Sequence, residues 1–508
     1  MNINGDKNDG GPVFYRSLGK TGFLVSAAGF GCYRVDISSA VHRAAMIEAL
    51  RAGINIIDTS ANYTDGSSEL LAGSVIGELI GRNELNRGDV VVATKGGYIQ
   101  GKNYEISAAL KKENKPYPDL VEYAAGLDHC IHPEFLERQI SESLARLNLE
   151  SIDAYLLHNP EYYLFWAEKK GLDLNTARCE YYSRIEKAFK YLETEVGRGR
   201  IKYYGISSNT FISRASDYGF TSLERVISIA EALSPDNHFG VIEFPMNLFE
   251  RGAAVEKNQG GVMTVLELAS LKNIGVLINR PLNAFYKGAM IRLAEARDIK
   301  ACWNDSDFAA LEGQIDSAIK TLGAREKNIK RLARNLSEDR IEKALVILDN
   351  ILIYDQLNKK WKEFKSAFNF ESFMTQYYSP RVEYFGFNLK NGVLKDKKAE
   401  DEFLSCIEAA EAVFEKISVY FKARHFNAAA KIKEKIGSLA PFYSQWDDLS
   451  GMALGLVINT AGVSCALTGM RTPQYASGAL KAIERSAGAP PTVWPALSEV
   501  DGFEDGRL

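Results

Sequence analysis

The stretch DVVVATK, residues 89–95, decides the fold. From Val90 to Ala93 it is apolar without alternation, so a strand built from it has both faces covered, and it ends on a lysine. Seven further runs share this character: VSAAGFG (25–31), INII (54–57), IDAYLL (152–157), IKYYGI (201–206), FGVIEF (239–244), IGVLIN (274–279) and VSCALT (463–468). Helical patterns lie between them, among them AVHRAAMIEALRAG, where Gly53 supplies a stop signal, SSELLAGSVIGELIG, PEFLERQISESLARL and SRIEKAFKYLETEVGRG. Eight strand–helix units predict an α/β fold, the closed (β/α)8 TIM barrel of about 250 residues. An open doubly wound sheet is the competing architecture.

The chain has 508 residues, more than one such core needs. The surplus falls between the seventh and eighth runs, where residues 283–450 carry amphipathic helices. In FLSCIEAAEAVFEKISVYF the apolar positions Phe403, Ile407, Ala410, Phe414, Ile417 and Phe421 recur at helical spacing. The expected organisation is barrel strands 1–7 over 14–282, a large mostly helical insertion over 283–450, and strand 8 with the final helix over 451–490. Trp361, Phe364, Phe368 and Phe370 are expected to pack the insertion's core. The segment YIQGKNYEISAALKKENKPYPDLVEYAAGLDHCIH is long and polar and is expected to form a functional loop or lid.

A net charge of −4 without a basic patch excludes nucleic acid and an anionic membrane surface as main partners. The polar start, MNINGDKNDGG, lacks the apolar stretch of a signal peptide, and no apolar run reaches the ~18 residues of a membrane span. A cytoplasmic protein is expected. Cys32, Cys130, Cys179, Cys302, Cys406 and Cys465 have no CxxC spacing, so reduced thiols are expected. His129, Cys130 and His132 lack a fourth ligand nearby, and no metal site is expected.

Reactive groups of a parallel barrel sit where strands end. Those positions hold Asp58, Lys95 and His158, with Tyr63 in the loop after the second strand. A phenol, with a pKa of about 10, needs a neighbouring cation to give up its proton near neutral pH. Lysine supplies the cation, and an aspartate holds the lysine charged. A histidine can orient a substrate oxygen. This set suits carbonyl reduction by hydride from a nicotinamide cofactor.

With these residues in view, the barrel portion resembles the aldo-keto reductases. The resemblance runs through FYRSLGKTGFLVSAAGFG, IDTSANYTDGSSE, ATKGG, LARLNLESIDAYLLHNPE, YYGISSN and GVSCALTGMRTPQ, in order. It implies Tyr63 as general acid/base, Lys95 and Asp58 as its tuning pair, and His158 as the group orienting the carbonyl. It also implies that Ser207, Ser208, Asn209 and Glu243 hold the nicotinamide carboxamide. Many members carry Ser-Asn and Gln there; a glutamate can accept from the amide NH2 but cannot donate to its oxygen. Arg280 stands where many members stack an aromatic ring, and it can stack, bind a phosphate or form an ordinary ion pair. Gly469, Arg471, Thr472 and Gln474 match the loop and helix that hold the adenosine phosphate, which favours NADP(H), with NAD(H) as the alternative. Gly478 and Ala479 replace the Glu-Asn that often meets the adenine.

For the substrate, a small carbonyl or alcohol compound, Tyr33, Tyr162 and Trp166 are expected to line an aromatic mouth, although such rings also anchor loops. The resulting expectation is an NADP-dependent oxidoreductase interconverting an aldehyde, ketone or sugar with its alcohol. The competing reading is a cofactor-binding regulatory or scaffold protein that uses the insertion for a partner. The oligomeric state is not legible.

Overall fold

The computed structural model describes residues 13–296, 298–336, 338–388 and 397–500. Among these residues eight parallel strands close a barrel: β1 (Ala28–Gly31), β2 (Ile56–Asp58), β3 (Val91–Gly96), β4 (Ile152–His158), β5 (Ile201–Ser207), β6 (Phe239–Pro245), β7 (Gly275–Asn279) and β8 (Cys465–Gly469). Each strand pairs with its neighbour in sequence, and β8 closes on β1 with Gly469 opposite Gly31. All eight apolar runs are therefore barrel strands.

Alternation along a strand sends every second side chain into the lumen. Ile56, Val91, Ala93, Ala154, Leu156, Val241, Leu277, Cys465 and Leu467 form one buried cluster there, joined by Leu18 and Val25 from an N-terminal hairpin, Tyr15–Ser17 with Leu24–Ser26. That hairpin lies at the foot of the barrel, where Lys20 N donates to Asn273 O at 2.7 Å. Two residues beyond the cluster, the same inward rows reach Asp58, Lys95, His158, Glu243 and Asn279. The top layer of the lumen is polar because the strands run one step past their apolar fill.

Strand β5 reaches the same level through a register shift between Tyr204 and Gly205. A Cβ at Gly205 would overlap the carbonyl oxygen of Val241, so only glycine lets β5 and β6 pair. Gly205→Ala is expected to destabilise the protein by about 2–3 kcal/mol, as overpacking a fixed backbone does, measured by denaturant unfolding. Stability equal to wild type would show that the strands separate freely there.

The chain divides into two compact units, one comprising residues up to Leu282 with Leu439–Ser498, the other Asn283–Ser438 with the residues from Glu499. The barrel unit resumes at Leu439, earlier than the 451 suggested by sequence. The long helix Lys397–Leu439 ends there, Pro441 opens a short turn, and the following helix Leu449–Ile458 buries nine of its ten residues, which a helix of the polar insertion would not do. It packs against the final helix, Pro473–Ser486.

The second unit begins with a hairpin, Asn283–Tyr286 with Ala289–Arg292, and continues as helices, the longest being Asp305–Ala333 and Lys397–Leu439. Its main core gathers Leu311, Ile315, Ile319, Trp361, Phe370, Phe414, Ile417 and Phe421, with Phe364 at its edge. Phe368 is half-buried, with Arg292 over its ring at 5.9 Å.

The segment after β3 is not a bare loop. Tyr98–Ile99, Val121–Ala124 and Leu127–His129 form a three-stranded antiparallel sheet, and the helix Gly101–Lys112 connects its first two strands. That helix fully buries only Ser107, so its sequence carries little helical periodicity.

Candidate active site

Four groups meet in the polar layer. Lys95, wholly buried, sets its Nζ 2.5 Å from Asp58 Oδ1, 3.2 Å from Thr59 O and 3.4 Å from the Tyr63 hydroxyl. A fourth neighbour is Glu243, whose Oε2 lies 3.2 Å from the same Nζ. Burial opposes the ammonium, yet Asp58 and Glu243 together hold Lys95 well above its ordinary pKa, so it stays charged. Asp58 is pushed up to about 8, first by burial and then by Glu243, against the pull of Lys95. Burial also raises the Tyr63 phenol, which Lys95 counteracts.

Tyr63 opens a short turn, Tyr63–Gly66, in which Thr64 and Asp65 are left-handed, at φ 48° and 52°. A β-branched residue there is strained, and the turn is held by Thr64 Oγ1 donating to Val35 O at 2.9 Å. The Tyr63 ring meets Tyr33 edge-on at 5.4 Å and His158 at 5.9 Å.

His158 ends β4. Burial first, then Lys95 and His129, lower its pKa well below the usual value, so the imidazole is neutral. Its Nδ1 lies 3.0 Å from Ser60 Oγ, and its carbonyl accepts from His129 Nε2 at 2.8 Å. His129, itself lowered to about 4 by burial, stands in register with Tyr98 in the added sheet. Tyr98 packs edge-on against His158 at 4.7 Å. Ser60 and Tyr98 were not singled out by the sequence reading. Their signals were present, a hydroxyl inside DTSANY and an aromatic residue directly after the glycines that follow Lys95. His129 serves as a buttress, and no group able to hold a metal ion occurs among the described residues.

Of the aromatic mouth, Tyr33 is exposed beside Tyr63. Tyr162 stacks on His129 at 5.6 Å and meets Tyr98 at 5.1 Å, one ring removed from His158. Trp166 shows no ring contact with this cluster among the described residues; its ring meets Tyr163 at 6.0 Å and Lys170 at 5.9 Å. Four residues apart on the helix Tyr162–Lys169, Tyr162 and Trp166 share a face, and Trp166 stands about one turn further along the axis.

Beside Lys95, Ser207 Oγ donates to Glu243 Oε1 at 3.0 Å and Asn279 Nδ2 donates to the same oxygen at 2.8 Å. Asn279 Oδ1 is buried and accepts no hydrogen bond from the described residues, whereas Glu243 Oε2 is buried against the Lys95 ammonium. Asn279 was absent from the expected set, although its spacing from Leu277 puts it in the inward row. Ser208, by contrast, faces the outer layer, where its hydroxyl meets Thr210 at 3.1 Å and Thr221 at 3.3 Å. Asn209 N donates to Glu161 Oε1 at 2.9 Å. Arg280, left-handed at φ 52°, forms its ion pair with Glu250 at 2.6 Å.

At the far end, Thr472 caps the helix Pro473–Ser486 by accepting from Tyr475 N at 3.3 Å. Gly469 is exposed with open space around its Cα, Arg471 is half-exposed beside the cap, and Gln474 is exposed on the first turn.

The family model described as "Aldo/keto reductase family" matches residues 29–283, half of the chain. The chain belongs to the aldo/keto reductase family. It is similar to the 6-dehydroglucose reductase of Novosphingobium aromaticivorans, 29% identical over 160 residues, covering 30% of this chain and 43% of the relative. It is also similar to the NADH-specific methylglyoxal reductase of Escherichia coli K12, 28% identical over 149 residues, covering 28% and 40%. The chain thus spans less than half the length of these relatives. Among solved structures, the aldo-keto reductase AKR11C1 of Bacillus halodurans in its holo form aligns over 97% of this chain and 99% of its own, at 15% identity and a TM-score of 0.45. No helix among the described residues is long and apolar enough to cross a membrane.

Proposed function

We propose that this protein is an NADP-dependent oxidoreductase that interconverts a carbonyl compound and its alcohol, with Tyr63 as the proton donor and acceptor. The observation that carries the reading is the contact between the Tyr63 hydroxyl and a buried, permanently charged Lys95. In reduction the phenol gives its proton to the substrate oxygen, and the ammonium 3.4 Å away stabilises the phenolate left behind. Asp58 keeps Lys95 charged and aimed. His158 stays neutral, so it orients the oxygen by a hydrogen bond without adding charge. When Ser60 donates to Nδ1, the ring proton sits on Nε2 and faces the substrate.

A bound nicotinamide supplies the hydride. The buried Asn279 Oδ1, which accepts no hydrogen bond from the described residues, and the carboxylate of Glu243 beside it suit the NH2 of its carboxamide. Arg471 and Thr472 suit a 2′-phosphate. Arg471→Ala is expected to weaken NADPH binding about tenfold while leaving NADH binding unchanged, by fluorescence titration. Equal losses for both would remove the phosphate assignment.

The relatives' names point to small polar carbonyl substrates, and the ring pair Tyr33–Tyr63 offers one face for such a compound. The deciding assay follows NADPH consumption with methylglyoxal, oxidised sugars, and aliphatic and aromatic aldehydes. Turnover no greater than that of Tyr63→Phe across the panel would sink the enzyme reading.

A further inference from the structure

The polar layer of the lumen has an unequal charge count. Asp58 and Glu243 are two buried carboxylates, and the cation between them is Lys95, 2.5 Å from one and 3.2 Å from the other. With all three ionised the layer carries one surplus negative charge out of reach of water, which is strongly unfavourable. The layer relieves this by keeping a proton on Asp58, whose carboxyl burial and Glu243 push up to about 8.

Among the described residues, the titratable groups that face this layer do not supply the missing positive charge. Tyr63, from the loop after β2, is raised by burial and stays a neutral phenol. Cys32, after β1, and Cys465, on β8, are both pushed up by burial and stay neutral thiols. His158 and His129 are lowered by burial and are neutral as well. The carboxylate of Glu69, behind β3, is already matched by Arg146 at 2.6 Å.

A nicotinamide ring is a cation when oxidised and uncharged when reduced. To exchange hydride with a carbon whose oxygen touches Tyr63, the ring must come within roughly 3–4 Å of that carbon. Tyr63 itself is 3.4 Å from Lys95 Nζ, so the ring arrives beside the charge-unbalanced layer. The buried Glu243 Oε2, 3.2 Å from Lys95 Nζ, sits in that layer.

We propose that the layer senses the oxidation state of the nicotinamide: binding of the oxidised cofactor expels the proton held on the Asp58 carboxyl, and binding of the reduced cofactor leaves it in place. This rests on the nicotinamide-dependent reading above. The step balances as protonated protein plus oxidised cofactor giving the complex plus one free proton, with no bond to the cofactor made or broken. Glu243 matters to this step as the second carboxylate, the one that creates the surplus.

The linkage has a definite sign. Proton release favours binding as pH rises, so affinity for NADP+ climbs about tenfold per pH unit below the midpoint and levels off above it. Affinity for NADPH lacks this slope. The 2′-phosphate titrates alike in both cofactors, so their difference isolates the ring.

The test is calorimetric titration of the full chain with NADP+ and with NADPH between pH 6 and 9, in paired buffers of different ionisation enthalpy, on wild type and Glu243→Gln. Near neutral pH the expected result is close to one more proton released per NADP+ than per NADPH. The ratio of the two affinities should move at least about tenfold across the range in wild type and stay constant in Glu243→Gln. Equal proton release for both cofactors in wild type overturns the proposal, and so does an unchanged difference in the variant. The wild-type proton count decides alone if the variant does not fold. Failure of both cofactors to bind overturns the nicotinamide reading with it, whereas binding of both without differential release overturns the inference alone.

Discussion

Tyr63→Phe is expected to lower kcat/KM by about a thousandfold while leaving cofactor affinity unchanged. The substitution keeps the ring contacts with Tyr33 at 5.4 Å and His158 at 5.9 Å and removes only the hydroxyl 3.4 Å from Lys95 Nζ. The loss therefore belongs to proton transfer, not to the shape of the mouth. Steady-state rates beside a fluorescence titration of the cofactor check both halves. A variant retaining a tenth or more of wild-type turnover would move the proton donor elsewhere.

Lys95→Met is expected to have the larger effect on the fold. It removes the cation that contacts both Asp58 and Glu243 and leaves the two buried carboxyl groups without it. Breaking a buried pair in this way typically destabilises by about 3–5 kcal/mol, visible as a lowered midpoint in denaturant. Adding Asp58→Asn and Glu243→Gln to Lys95→Met should restore much of the stability and none of the activity, because a neutral lumen packs but cannot stabilise a phenolate. If Lys95→Met alone is as stable as wild type, the buried charges are not coupled as described.

Much of this was legible in the sequence. Near-continuous apolar runs located every barrel strand, because burial on both faces leaves no other pattern. Asp58, Lys95 and His158 stood out because they interrupt those runs at the same depth, and Tyr63 because it follows at loop distance. Glu243 was visible as an unusual acid, but its approach to Lys95 depends on β3 and β6 facing each other across a lumen, which one chain read linearly does not display. Tyr98 and His129 were hidden for a different reason: their antiparallel pairing joins residues 31 positions apart through a helix with almost no buried face. Arg280 found Glu250 because its left-handed backbone turns the side chain along the β7 loop, a conformation residue type alone does not announce. The barrel's return at Leu439 was missed because the long helix keeps its periodicity up to that point.

The sheet inserted after β3 makes the barrel's histidine a cantilevered part. Its ring is braced from one side by Tyr98 and its carbonyl from below by His129, both carried on a polar connection that adds no strand to the barrel. Trimming or lengthening the outer hairpin near Gly126, where a Cβ would meet nothing, should be tolerated as a change of outline. A one-residue slip of the Tyr98 strand against His129 would instead turn the Tyr98 ring to the opposite face and unseat the imidazole. The outer surface of this protein is thus geared at one point to the histidine at the barrel mouth, and drift in that connection is restrained from inside the barrel.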